Sequence, residues 1–301
     1  MSTRSTPDIP VAQPSLATPT TRVYTAYRTP ASPHEGELPP HPGPSWTRFV
    51  CISDTHSFTD DLFEDQIPPG DFLLHSGDLS SWGKPKQLQK TMDWIGEMKG
   101  YEHKVLIAGN HDLCLDSESS FYNIKDPNAV QKLLKESREI MRGEEARTKG
   151  IVYLEYERIV LKTKAGKEWV FYGSPAAPRY AEGAFQYTDD IEAKAISAQI
   201  PSDVEILMTH TPPHGILDLT RRQKRAGCKR LAERLGKLSK VHLHIFGHIH
   251  ESKGAQIVPV KHSDGIYATP DCYPSRRLER VAVNAAMQMA DSPAIVVDLR
   301  N

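Results

Sequence analysis

From residue 46 onward the chain alternates short apolar runs with longer amphipathic segments. The runs predict strands and the segments with helical spacing predict helices. The predicted strands cover 48–53, 72–75, 105–108, 203–209, 242–246, 257–260 and 294–298, and a hairpin joins 158–162 to 168–172. The predicted helices cover 85–99, 126–142, 188–199 and 228–238. Because helices follow some strands while a hairpin interrupts the alternation, the pattern predicts an α/β fold with a mixed sheet or a pair of sheets.

Residues 1–45 lack this periodicity and hold 10 of the 23 prolines. The composition predicts a disordered or loosely extended tail over 1–45 and one domain over 46–301. Three pairs of prolines have the PxxP spacing that proline-reading domains bind, so a protein partner is one interpretation. Composition alone also produces such spacings. The pairs are Pro7/Pro10, Pro30/Pro33 and Pro39/Pro42.

Charge and composition narrow the class of partner. The 301 residues carry 37 Lys and Arg against 38 Asp and Glu, which gives a net charge of −1. This balance argues against nucleic acid or an anionic membrane as a partner. The sequence shows no apolar run of membrane-spanning length, no secretory signal and no CxxC pair. We therefore expect an intracellular, cytoplasmic protein with reduced cysteines and leave its oligomeric state open.

Side chains of the kinds that coordinate metal ions follow five of the predicted strands, at the ends where α/β sheets bind their ligands. They are Asp54-Thr55-His56, Gly77-Asp78, Gly109-Asn110-His111-Asp112, His210 and Gly247-His248-Ile249-His250. Residues two apart in extended backbone point to the same side, so Asp54 and His56 form one pair of ligands and His248 and His250 another. The set contains no cysteine, which argues against a structural zinc cage. Carboxylates, imidazoles and one amide suit Mn, Fe, Zn or Mg, and they are too many for one tetrahedral ion.

These motifs, in this order, resemble the calcineurin-like metallophosphoesterase superfamily. Four stretches most resemble its metallophosphoesterase-domain-containing subfamily: Cys51-Ile-Ser-Asp-Thr-His56, Ile107-Ala-Gly-Asn-His111, His210-Thr-Pro-Pro-His-Gly215 and Phe246-Gly-His-Ile-His-Glu251. Some members of that subfamily depart at the first His of the last motif, whereas this chain keeps His248. The resemblance implies an α/β two-sheet mixed β sandwich flanked by helices, and a complete site.

The resemblance also implies a role for each residue. Asp54, His56 and His250 would hold one ion, Asn110, His210 and His248 the other, and Asp78 would bridge them. His111 would be a catalytic residue that stabilises the phosphoryl oxygens and protonates the leaving oxygen, and Asp112 would orient His111. Asn110, His111 and His214 are the candidate substrate contacts. The cofactors would be two divalent ions, with Mn²⁺ expected to support activity in vitro.

Such a site would hydrolyse a small-molecule phosphodiester by in-line attack of a metal-bridging hydroxide. The subfamily resemblance points to a cyclic nucleotide or a related small diester. Three alternatives use the same residues: a nuclease, a phosphomonoesterase and a non-catalytic metal-binding scaffold. The substrate loops are expected over 60–70, 113–128 and 178–185.

A basic run follows His210 at residues 221–230. It is either a lip that attracts phosphate anions or a solvated loop and helix face. The sequence leaves both interpretations open.

Overall fold

The computed structural model describes residues 11–30, 36–59, 65–118, 126–260, 279–287 and 293–301. The strands are β1 (Leu16–Thr18), β2 (Thr21–Tyr24), β3 (Trp46–Ile52), β4 (Phe72–Ser76), β5 (His103–Ile107), β6 (Ile151–Tyr153), β7 (Glu157–Lys162), β8 (Glu168–Ser174), β9 (Ala177–Pro178), β10 (Gln186–Tyr187), β11 (Ile206–Thr209), β12 (Leu243–Phe246), β13 (Gly254–Pro259), β14 (Glu279–Asn284) and β15 (Ile295–Arg300). The helices are α1 (Pro85–Glu97), α2 (Pro127–Arg142), α3 (Glu144–Thr148), α4 (Asp190–Ala198) and α5 (Lys229–Leu235).

Two large mixed sheets form the body of the protein. The first has the order β1-β2-β15-β3-β4-β5-β6, and the second has the order β13-β14-β12-β11-β8-β7. Strands β3 to β6 run parallel in the first sheet, as do β14, β12, β11 and β8 in the second. The antiparallel β7–β8 pair is the predicted hairpin. The expected two-sheet α/β sandwich is therefore confirmed.

Alternating side chains on the strands build three apolar layers. In β3, Phe49 and Cys51 face the second sheet, whereas Val50 and Ile52 pack in a separate cluster with helix residues such as Leu88. The layer between the sheets includes Phe72, Val105, Trp169, Phe171, Ile206, Leu243 and Val281. The outer layer of the second sheet includes Leu207, Ala193, Leu231 and Leu235. Both sheets thus have one face against the other sheet and one against helices.

The predicted disorder over residues 1–45 is wrong for part of that segment. Strands β1 and β2 form a hairpin, and β2 pairs antiparallel with β15. Tyr27 follows it, buried, and donates a hydrogen bond to the carbonyl oxygen of Ala294 at 2.7 Å. The strands are too short for a periodic pattern, and a distant part of the chain supplies their partner. Of the three PxxP pairs, only Pro39/Pro42 lies wholly within the described residues.

Other boundaries differ more modestly. Helix α2 begins as expected, because the Asp126 side chain accepts the Asn128 N–H at 2.9 Å and proline occupies the first turn. Strands β6 and β14 were not predicted. Cys51, Cys114 and Cys228 are buried free thiols, as expected, and Cys272 lies outside the described residues. No helix in the described part of the chain combines the length and apolarity needed to cross a bilayer.

A buried ion pair joins strands β3 and β15, which are far apart in the sequence. Arg48 in β3 binds Asp298 in β15 through two hydrogen bonds of 2.8 Å, and both side chains are buried. We expect Asp298→Ala to destabilise the fold by about 3–5 kcal/mol, because it leaves the Arg48 charge buried without its partner. Urea unfolding measures this change. Asp203→Ala is the matched control, since it breaks an exposed pair with Arg158 and should not measurably alter stability. Equal stability of the two variants would contradict the prediction.

Candidate metal centre

The polar ends of five parallel strands meet at one edge of the sandwich. Asp54 follows β3, Asp78 follows β4 and Asn110 follows β5 in the first sheet. His210 follows β11 and the 248–250 turn follows β12 in the second sheet. Because parallel strands end at the same edge, the two sheets present these side chains to a common space.

One group of ligand atoms comes from Asp54, His56 and His250. His250 Nε2 lies 3.1 Å from Asp54 Oδ1, and the rings of His56 and His250 are 5.4 Å apart. One ligand atom from each residue lies within 4.8 Å of the other two. The arrangement is compact enough to surround a single cation.

A second group surrounds the amide oxygen of Asn110. His210 Nε2 and His248 Nδ1 each lie 2.8 Å from Asn110 Oδ1. The opposite ring nitrogen of His210, Nδ1, lies 3.0 Å from the carbonyl oxygen of Ser76. A hydrogen bond from Nδ1–H to that carbonyl fixes the ring and leaves Nε2 as the ligand atom.

Asp78 lies between the two groups. Its Oδ2 is 3.9 Å from His56 Nε2, and its Oδ1 is 3.4 Å from His210 Nε2. The backbone N–H of His111 donates to Oδ1 at 2.8 Å and holds the carboxylate in place. One carboxylate therefore faces both groups of ligand atoms.

The backbone is left-handed at several of these positions. Asp54, His56, Asp78 and His248 have φ angles of 57°, 50°, 54° and 67°. Non-glycine residues seldom adopt this conformation, and it concentrates at functional sites when the surrounding structure enforces it. The turn out of each strand aims the side chain into the common space.

Three observations show that the site fits cations. His56 Nε2 is buried and has no hydrogen-bond partner among the described residues. A Cβ atom on Gly247 would overlap the Asp54 carboxylate, and one on Gly109 would overlap Asp78, so both glycines leave room for the carboxylates. The donor set itself holds imidazoles, carboxylates and an amide oxygen, which suits divalent ions.

The electrostatics favour positive charge at the centre. Burial raises the pKa of Asp78, but the charge and hydrogen bond of His210, together with the charges of His56 and His111, outweigh burial and hold that pKa well below its usual range. Burial lowers the pKa of His210, and the charges of Asp78 and Asp54 more than offset it, so the net shift is upward. Burial and the His210 charge lower the pKa of His248 to about 4. The two buried carboxylates, Asp54 and Asp78, therefore need positive charge beside them. Protonated histidines or bound metal ions can supply this charge.

The Asp112 carboxylate, which was expected to orient His111, has other hydrogen-bond partners in the structure. The buried Asp112 carboxylate accepts hydrogen bonds from the backbone N–H groups of Leu79, Ser80 and Gly109 and from the Ser80 hydroxyl. His111 Nδ1 instead lies 2.7 Å from the carbonyl oxygen of Ser81. Asp112 therefore organises the backbone after β4, because its short side chain meets N–H groups that the turn leaves unpaired.

Ser81 is a positioning residue that the motifs did not reveal. Its carbonyl oxygen accepts from His111, and its hydroxyl donates to the carbonyl oxygen of His56. It thereby connects two residues of the site. No sequence signal marks it, because the connection depends on the turn geometry.

His214 lies in a different environment from the ligand groups. Its Nδ1 is 3.6 Å from Asp218 Oδ2, and its backbone N–H donates to the carbonyl oxygen of Cys228. These contacts tie it to the loop that Asp218 organises. A substrate contact by His214 stays a prediction.

An exposed tyrosine packs beside the site. The Tyr180 ring lies 5.7 Å from the His248 ring, edge to face, and 73% of the residue is exposed. Sequence reasoning predicted the 178–185 loop as a substrate loop but did not select this residue. An aromatic face at this position is available to a flat substrate group.

Comparison with known proteins gives the family. The sequence model described as calcineurin-like phosphoesterase matches residues 47–252. The chain belongs to this family. The match spans every strand end that carries a ligand residue, so the resemblance drawn from the motifs is confirmed.

Individual relatives agree with the family. The chain is 35% identical over 227 residues to metallophosphoesterase domain-containing protein 1 of Homo sapiens and of Mus musculus. The alignment covers 74% of this chain and 65% of each relative's length. Among solved structures, phosphopantetheinyl hydrolase from Mycobacterium tuberculosis aligns with a TM-score of 0.39 and 14% identity, over 79% of this chain and 96% of that one.

Proposed function

We propose that this protein is a dinuclear metal-dependent phosphoesterase that hydrolyses small phosphodiesters. The observation that carries the proposal is the position of Asp78. Its two oxygens face separate groups of nitrogen and oxygen ligands, and His56 Nε2 is buried beside it without a hydrogen bond among the described residues. A buried carboxylate between two ligand sets is what a pair of cations requires.

The ligand assignment follows the two groups. Asp54, His56 and His250 would hold one ion, Asn110, His210 and His248 would hold the other, and Asp78 would contact both. When bound, two such ions lower the pKa of a shared water molecule and so supply hydroxide near neutral pH. Mn²⁺ is the ion with which we expect activity in vitro.

His111 would act on the substrate as the general acid. Its Nδ1–H donates to the Ser81 carbonyl, which leaves Nε2 to face the substrate. A protonated His111 would hydrogen-bond the phosphoryl oxygens and pass its Nε2 proton to the leaving oxygen as the P–O bond breaks. The Asn110 amide would contact the same phosphoryl group.

A metal-dependence assay tests the function. The protein is stripped with chelator, reloaded with Mn²⁺, Mg²⁺ or Zn²⁺, and given bis-p-nitrophenyl phosphate or p-nitrophenyl phosphate. We expect Mn²⁺-stimulated release of p-nitrophenol and a higher kcat/KM for the diester. No metal-stimulated turnover of either compound would support the non-catalytic scaffold. A preference for the monoester would support a phosphomonoesterase, and faster cleavage of an oligonucleotide would support a nuclease.

A further inference from the structure

A tight turn carrying four cationic residues lies at the rim of the candidate site. We name residues 219–225 the basic turn; Leu219 and Arg225 form an isolated antiparallel bridge at its base. Thr220 N–H donates to the Lys224 carbonyl at 2.9 Å, and Gln223 N–H donates to the Thr220 carbonyl at 2.8 Å. These bonds close the turn, so its conformation is fixed by the backbone.

The basic turn is attached to the segment that carries His250. The backbone N–H of Arg221 donates to Glu251 Oε1 at 3.1 Å, and the Ser252 hydroxyl donates to the Leu219 carbonyl at 2.7 Å. Since Glu251 follows His250 directly, these two bonds place the turn beside the ligand group. The pKa of Tyr180 is raised by burial first and then by the negative charges of Asp78, Asp54 and Glu251. Tyr180 therefore lies near the same segment as the basic turn.

A buried carboxylate anchors the loop below the turn. Asp218 is fully buried, and its Oδ2 accepts the backbone N–H groups of Gly215 and Gly227 at 2.9 and 3.2 Å. Its Oδ1 accepts from the Arg225 guanidinium at 2.7 Å. The charge of Arg225 is therefore neutralised by Asp218, and the pair stabilises this loop.

The remaining cations of the turn are not neutralised in this way. Arg221, Arg222 and Lys224 are exposed and form no ion pair with the residues that the structure describes. Arg230, further along the basic run, pairs with Asp190 and Glu233. Glu251 accepts the Arg221 backbone N–H, and the Arg221 charge is one of the causes that lower its pKa. One carboxylate facing three cations leaves the rim with an excess of positive charge, in a chain whose net charge is −1.

We propose that the basic turn binds a second anionic group of the substrate, so that the preferred substrate is a phosphoester that carries another phosphate or carboxylate. This rests on the proposed function for the reacting phosphoryl group. The ligand groups and His111 account for one phosphoryl group, and the exposed cations on the hydrogen-bonded turn next to His250 suit one more anion. Because hydrogen bonds already close the turn, its backbone loses little conformational freedom when an anion binds.

Direct binding of two matched nucleotides tests the proposal. Thymidine 5′-monophosphate and thymidine 3′,5′-bisphosphate differ only by the second phosphate, and calorimetry on the Mn²⁺-loaded full chain measures the Kd of each, with phosphate release followed in parallel. We expect the bisphosphate to bind about tenfold more tightly, as several solvent-exposed charge contacts together would provide. In the variant R221Q/R222Q/K224Q this preference should fall to about threefold or less, and added salt should reduce the wild-type preference.

The control variant removes equal charge elsewhere. Lys164, Lys237 and Lys240 are exposed and precede strands β8 and β12, at the opposite end from the candidate site. K164Q/K237Q/K240Q should keep the wild-type preference. Wild-type preference in R221Q/R222Q/K224Q, or equal weakening of both nucleotides, would overturn the proposal. Nucleotide binding without hydrolysis of any phosphoester would instead count against the proposed function alone.

Discussion

Asp78→Ala is expected to abolish the binding of two ions, leaving fewer than two metal ions per chain after reloading. The reason is geometric: the oxygens of Asp78 lie 3.9 Å from His56 Nε2 and 3.4 Å from His210 Nε2, so its removal takes a ligand from both groups. Turnover should fall by more than about 10³-fold, because both attack and charge neutralisation depend on the paired ions. Metal analysis and steady-state kinetics measure the two effects.

Asp78→Asn tests whether metal is lost because the carboxylate charge is missing or because the protein has unfolded. In the wild-type protein the His111 N–H donates to Asp78 Oδ1 at 2.8 Å. The asparagine amide keeps an oxygen that can accept this hydrogen bond but lacks the carboxylate charge. We expect native circular dichroism together with reduced metal content. Retention of two ions by both variants would refute the assignment of Asp78 as the shared ligand.

His111→Ala is expected to retain both ions and to lower kcat by about 10²–10⁴-fold, the range of general-acid catalysis. The backbone N–H that holds Asp78 remains in the variant, so the ligand groups keep their arrangement. The loss should be larger for a diester with an alkoxide leaving group than for one releasing p-nitrophenolate, which needs little protonation. Kinetics on the two diesters, alongside metal analysis, test this.

The structure leaves a specific competing role for His111. A nitrogen of its ring lies within 4.8 Å of ligand atoms of His56 and Asp78, and the two imidazole rings are 4.7 Å apart. If His111→Ala lost an ion, His111 would be a ligand and not the general acid. Unchanged turnover would exclude both roles.

The sequence located the candidate ligands because their positions follow from local rules. Asp54, Asp78 and His210 each follow an apolar strand, and parallel strands bring their ends to one edge of a sheet. In the pairs 54/56 and 248/250, both side chains were expected to point to the same side because the backbone was expected to be extended. Their φ values are instead left-handed at Asp54, His56 and His248, so convergence arises from turns that no periodicity reveals.

Features that depend on distant partners were not predictable. Strand β1 pairs with β2, and β2 pairs with β15, more than about 270 residues further along the chain, so the proline content of the segment misled the prediction. Asp112 is adjacent to His111 in sequence, yet its carboxylate meets the backbone of Leu79 and Ser80. Adjacency in sequence indicated proximity but not which group the side chain binds.

The left-handed residues at the ligand positions also affect how the protein withstands heat. Each such conformation costs roughly 1–2 kcal/mol, and four of them lie at Asp54, His56, Asp78 and His248. An ion that binds only the folded chain offsets this cost by an amount that grows with the logarithm of its free concentration. Heat resistance should therefore follow the supply of divalent cations, and protein from manganese-starved cells should unfold at a lower temperature than protein from replete ones.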